Sequence, residues 1–198
     1  MTSKLDWMRQ QLYQLAEPSP EWWAYLRKHQ IDLTGVLPHC GSLAVTLCRA
    51  IETADGQYIF EFDPDGVPSV VIEAQMISNV DGLNELVTKD LVAWPIGAPE
   101  CFATAMGPYA GMDLLGPVAA YREPSDNTPL QLYRNPETWL LNGCEGSVVL
   151  KPEAAFWLNK SHVPLICQDT EHARDISQLL GGNAKKRDIF IPDTRRAA

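Results

Sequence analysis

Residues 130–182 read LQLYRNPETWLLNGCEGSVVLKPEAAFWLNKSHVPLICQDTEHARDISQLLGG, and this stretch decides the fold. Three short apolar runs, LQLY (130–133), SVVL (147–150) and VPLIC (163–167), alternate with three segments of helical character. In the first helix Asn135 is placed to cap, Pro136 occupies the first turn, and Gly143 supplies the stop. KPEAAFWLN is the second. The third starts from Asp169 or Thr170 and ends at Gly181. Strands without polar alternation are buried on both faces, and helices between them supply the cover for parallel pairing. The expectation is an α/β layer of βαβαβα type inside a chain that is α+β overall.

Working outward, residues 123–129 (EPSDNTP) form a polar, turn-rich linker candidate. They separate a first part, residues 1–122, from the α/β layer, residues 129–184, and a basic tail, residues 185–198, with all three expected to form one compact unit. At the N-terminus, Leu5, Met8, Leu12 and Leu15 recur at three- and four-residue intervals, which predicts an amphipathic helix over residues 3–16. Ser19 then caps a second helix that opens on Pro20 and carries Trp22, Trp23 and Tyr25. Next comes a β-rich region. YIFEF and SVVIE flank Pro64-Asp65-Gly66-Val67, a hairpin signal that would set Phe62 against Ser69 and Phe60 against Val71. LAVTLCRAIE (43–52) reads as a third strand with a helix as the competing reading, DGLNELVTK (81–89) as helix-like, and DLVAWPI (90–96) as a strand. Residues 101–121 read as helix, loop, then a short helix or turn.

The chain has 198 residues, 45% hydrophobic and 21% charged, enough for one substantial core, which excludes disordered and fibrous classes. No apolar run reaches the roughly 20 residues that span a bilayer, and the first fifteen residues lack a signal-peptide pattern. A cytoplasmic protein without membrane contact is expected. The five cysteines are an odd number with no CxxC pair and no zinc spacing, so reduced thiols and no metal or other cofactor are expected. The net charge of −9 argues against a duplex-gripping surface. Only the tail, with five basic residues against two acidic ones, could touch nucleic acid.

In parallel α/β sheets ligands bind beyond the carboxyl ends of the strands, where helix N-termini offer free N–H groups. That rule selects Arg134 after the first strand, Lys151 after the second, and Gln168 with Asp169 after the third, a set that could hold a phosphate or carboxylate. No glycine-rich phosphate loop accompanies them. His39 and Cys40, in Pro38-His39-Cys40-Gly41, are the most reactive-looking neighbours and the catalytic candidates, although adjacent residues seldom point at each other. Glu61, Asp63 and Asp65 alternate along the hairpin but lack the remainder of a calcium loop, so they read as an exposed polar edge. Trp22 and Trp23 diverge by roughly 100° on a helix and cannot share one core stripe. With Tyr25 they make the candidate interface, because buried aromatic anchors dominate binding energy.

The segments DLVAWPI and LYRNPETWLLNGCEGSVVL resemble segments of bacterial proteins of prophage and mobile-element type that carry no assigned activity. The resemblance implies a bacterial setting and an accessory role, and it transfers no functional residue. With no catalytic signature in the chain, the leading expectation is a non-enzymatic protein-interaction or accessory module that binds a protein partner or a second copy. The alternative is a small-ligand or phosphate-binding protein, or an enzyme, that uses the strand-end residues.

Overall fold

The computed structural model describes residues 3–15, 19–80, 83–107, 111–116, 128–161, 163–181 and 188–192. Three helices come first: α1 (Lys4–Leu15), α2 (Pro20–His29) and α3 (Leu33–Cys40). The Ser19 hydroxyl accepts the Trp22 N–H at 3.1 Å and fixes the start of α2, as expected. Asp32 caps α3 in the same way through the Thr34 N–H. Among the described residues no helix is long and apolar enough to cross a membrane.

Five strands then close a barrel: β1 (Leu43–Glu52), β2 (Tyr58–Phe62), β3 (Val67–Val80), β4 (Leu83–Pro95) and β5 (Ala103–Thr104), in the order β1-β2-β5-β4-β3. All five strands contribute to its inner face, which holds Ala44, Cys48, Phe60, Val71, Leu91, Ala93 and Ala103; Met8 and Leu12 of α1 pack on these residues. Alternate residues of β3 and β4, namely Val70, Ile72, Val92 and Trp94, face outward into a second core. Both faces are buried there, which explains the unbroken apolar runs in these strands. Glu73 follows Val71 on the inner side. Its carboxylate accepts the Tyr13 hydroxyl at 2.6 Å, Arg9 Nε at 3.3 Å, Thr88 Oγ1 at 3.0 Å and Gln75 Nε2 at 3.1 Å, tying α1 to the barrel.

Three local expectations are corrected here. The β2–β3 hairpin does not form, because β1 lies between the two strands and pairs antiparallel with both: Cys48 faces Phe62 on one side and Val67 on the other. The turn at residues 63–66 carries the chain across β1, with the Asp63 N–H on the Leu47 carbonyl at 3.1 Å. A Cβ on Gly66 would lie 2.4 Å from the Cys48 carbonyl oxygen, so glycine alone fits this crossing. Second, residues 83–89 are not helical but belong to β4, which pairs antiparallel with β3 from Ser69–Pro95 to Val80–Leu83. Leu83, Leu86 and Val87 mimic helical spacing, but long-range pairing overrides it. Third, β5 and β6 (Leu114–Leu115) occupy part of the stretch expected to begin as a helix at residue 101.

The C-terminal layer matches its expectation. It contains β7 (Leu130–Tyr133), α4 (Pro136–Leu141), β8 (Ser147–Val149), α5 (Ala154–Ser161), β9 (Leu165–Ile166), α6 (Thr170–Leu180) and β10 (Ile189–Phe190). The sheet order is β10-β9-β7-β8-β6. β7 is parallel to β8 and β9, β9 is parallel to β10, and β6 joins antiparallel to β8. Asn135 and Asp169 cap α4 and α6 as the sequence suggested, accepting the Thr138 and His172 N–H groups at 2.9 Å each. β10 lies inside the segment read as a basic tail, so part of that segment is sheet. Residues 185–187 and 193–198 fall outside the described residues, as do residues 123–127 of the linker candidate.

The chain is thus mixed α+β, with N-terminal helices, then a run of strands, then alternating strands and helices. The barrel's outward core continues into the C-terminal layer: Val70, Ile72, Val92 and Trp94 pack in one cluster with Leu115, Trp139, Leu140, Cys144 and Val148, and with Trp22 and Tyr25 of α2.

Candidate functional site

At the carboxyl edge of the C-terminal sheet three of the four expected residues come together. The backbone N–H of Arg134, just after β7, donates to Gln168 Oε1 at 2.7 Å. Its guanidinium binds Asp169 through Nε at 3.3 Å and Nη2 at 2.7 Å, and reaches Glu171 at 3.2 Å and Asp175 at 3.6 Å. Hydrogen bonding to Arg134 holds the Asp169 carboxyl down to about 2. His172, buried beneath, has its pKa lowered by burial, and its Nδ1 accepts the Gln168 N–H at 3.3 Å. One guanidinium against three carboxylates clamps α6 onto β7, and it leaves the edge acidic rather than ready for an anion.

Lys151 does not join this group. It is 4% exposed, its N–H donates to the Asp113 carbonyl at 3.2 Å, and its side-chain charge acts on Asp90 of β4, across the seam between barrel and sheet. Asp90 is fully buried and accepts the Leu91 N–H at 2.9 Å and the Met106 N–H at 3.0 Å through Oδ1. A Cβ on Gly111 would lie 1.9 Å from Asp90 Oδ2, so the chain can pass the carboxylate this closely only as glycine. Burial pushes the Asp90 carboxyl up to about 6, with the nearby Lys151 opposing that rise. A cleft of about 200 Å³ opens near this seam and is lined by Tyr58, Glu100, Phe102, Thr104, Leu150 and Pro152. Its lining holds one carboxylate and no basic side chain, which does not suit a phosphate.

His39 and Cys40 lie in the last turn of α3 rather than in an open loop, and they face apart: His39 is exposed and Cys40 is completely buried. The two therefore form no nucleophile–base pair. Cys40 instead shares a buried core with Cys144, which follows α4. On the barrel, Asp63 pairs with Arg49 and accepts the Asp65 N–H at 2.8 Å, so it is occupied in local structure, while Glu61 and Asp65 are exposed. Among the described residues no group of three or more His, Cys, Asp or Glu side chains is placed to hold a metal ion.

The aromatic triad of α2 divides. Trp22 is buried and donates its indole N–H to the Leu43 carbonyl at 3.0 Å. Tyr25 is buried with its hydroxyl on Glu137 at 3.1 Å, and burial raises its pKa. Both belong to the chain's own core and present no outer surface. Trp23 is 47% exposed and meets Trp22 edge-on at a centroid distance of 4.8 Å. The sequence reading missed a further apolar exposure at the far end of the β3–β4 ladder, where Ile77 lies opposite Leu86 and both are exposed, as is Leu83. The signal was the Asp81-Gly82 dipeptide, a hairpin former read there as a helix start.

No protein-family profile matches the sequence, and comparisons with curated proteins and with solved structures found no match.

Proposed function

We propose that this chain is a protein-interaction module of the bacterial cytoplasm, a non-enzymatic accessory protein that docks a protein partner or a second copy through the face of α2 bearing Trp23. The observation that carries the reading is a half-exposed indole held on a fixed platform. Ser19 caps the helix, while Trp22 and Tyr25 anchor it to the body through Leu43 and Glu137. A rigid aromatic group loses little conformational freedom on binding, and such groups dominate interface energies. The accessory role implied by the resemblance of DLVAWPI and LYRNPETWLLNGCEGSVVL to mobile-element proteins agrees with this reading. The phosphate-binding alternative draws less support, since three carboxylates surround Arg134 and Lys151 is buried.

Trp23→Ala tests the proposal. The variant should still fold and melt cooperatively, losing only the stability contributed by the buried half of the ring. Self-association in sedimentation equilibrium, or capture of a protein partner by the immobilised chain, should weaken at least tenfold, the effect of losing about 1.4 kcal/mol at an interface. Equal assembly and equal capture by both proteins would sink the reading.

A further inference from the structure

The five cysteines are distributed unevenly. Cys48 lies in the barrel interior, Cys167 in the core of the C-terminal layer, and Cys101 on the surface. Cys40 and Cys144 share the core that joins the two halves of the molecule. Cys144 Sγ sits 3.9 Å from the Val36 carbonyl, one turn before Cys40 on α3. A helical side chain leans back over the preceding turn, so the Cys40 sulfur is directed toward the same place. Both thiols thus lie in the same part of this core, each almost wholly buried. A second observation concerns the backbone. Cys144 has φ +61°, a left-handed conformation shared by one other non-glycine residue, Gln30, among the described residues. An L-residue other than asparagine or glycine is disfavoured in that region. The conformation closes the end of α4, with the Cys144 N–H on the Trp139 carbonyl at 3.0 Å, and it sets the Cys144 side chain in the shared core.

We propose that Cys40 and Cys144 form a dithiol–disulfide pair, a site of reversible oxidation by hydroperoxides that clasps the N-terminal helices to the C-terminal layer. One thiolate attacks the peroxide O–O bond, giving a sulfenic acid and one hydroxide, which is protonated to water. The second thiolate attacks that sulfur, forms the S–S bond and expels the sulfenic oxygen as a second water. The two sulfurs supply the two electrons that reduce the peroxide. The bridge closes a loop of about 100 residues, long enough to restrict the unfolded chain strongly. Both sulfurs are shielded from solvent, so the exchange is slow and waits on local opening.

The test uses the full chain carrying Cys101→Ser, which removes the exposed thiol. After treatment with hydrogen peroxide, a non-reducing digest should contain the Cys40 peptide joined to the Cys144 peptide, lighter than their sum by two hydrogens. Thiol titration in denaturant should fall from four to two, and dithiothreitol should restore it. Oxidised protein should melt higher than reduced protein, and Cys144→Ala should abolish that shift. Recovery of both cysteines as free thiols, as sulfinic acids, or in bridges with Cys48 or Cys167 overturns the proposal. The mapping uses the native pair, so it stands even if the alanine variant does not fold.

Discussion

Asp90 shows how one buried side chain can set a pH dependence. Its carboxyl is pushed up to about 6 by burial, whereas in an unfolded chain it titrates near 3.8. The native state therefore holds the proton more tightly, and the ionised side chain costs stability once the pH rises past the unfolded value. Protonation relieves that cost as the pH falls from above 6 toward 4. His172 acts the opposite way over an overlapping window: burial lowers its pKa, so acid protonates the unfolded state first and stability falls. The readout is accordingly the difference between the wild type and Asp90→Asn, which keeps an oxygen for the Leu91 and Met106 amides. The unfolding free energy of Asp90→Asn relative to wild type should drop by about 1 kcal/mol between about pH 7.5 and pH 5. A flat difference in urea titrations would show that Lys151 fully offsets the burial. The position of Lys151 itself was not legible in the sequence. Its place after an apolar strand put it on the right sheet edge, but its partner lies on β4, and no local rule couples residues so far apart.

At the scale of elements, the sequence was readable wherever capping and burial agreed. Ser19, Asn135 and Asp169 each cap the helix assigned to them, and LQLY, SVVL and VPLIC each contribute a strand to one parallel set. The failures came where a local signal fits two topologies. Pro64-Asp65-Gly66 suits a hairpin turn, but it equally suits a crossing over an intervening strand, and only the ten-residue length of β1 leaves room for partners on both sides. The outer half of β4 lacks a buried face to impose alternation, so its leucines kept a spacing that resembles a helix. The crossing gives a sharp expectation. Gly66→Ala would drive a methyl group into the Cys48 carbonyl, and the backbone of β1 has no free side to yield toward. The substitution should cost about 1–3 kcal/mol, the usual penalty for overpacking, whereas Gly143→Ala meets no atom within 4 Å and pays only for its left-handed backbone. A Gly66→Ala protein as stable as the wild type in chemical denaturation would refute the crossover geometry.

At the scale of the whole molecule, the question is whether barrel and sheet unfold together. The seam is built from Val70, Ile72, Val92 and Trp94 on one side and from Leu115, Trp139, Leu140 and Val148 on the other, with α2 packed along it. Trp94 and Trp139 are both fully buried, so each layer has a large aromatic group in the shared core. Burying such a ring contributes several kcal/mol, a large share of the 5–15 kcal/mol that stabilises an entire domain, and neither layer can expose that surface and remain folded. Val148 lies at 0% exposure in β8, flanked by β6 and β7. Val148→Asp places an unpaired charge there at a cost of several kcal/mol or more, comparable to the stability of the whole. The substitution should abolish the native fold of both halves in one step. Far-ultraviolet circular dichroism, which reports the barrel and sheet together, and tryptophan fluorescence, dominated by rings in the seam and on the helices, should lose their native signals in parallel. In the wild type the two probes should likewise give coincident urea transitions with a single midpoint. A Val148→Asp protein that kept a cooperatively melting barrel would show instead that residues 43–104 form a separable unit and that the shared core is an interface between domains.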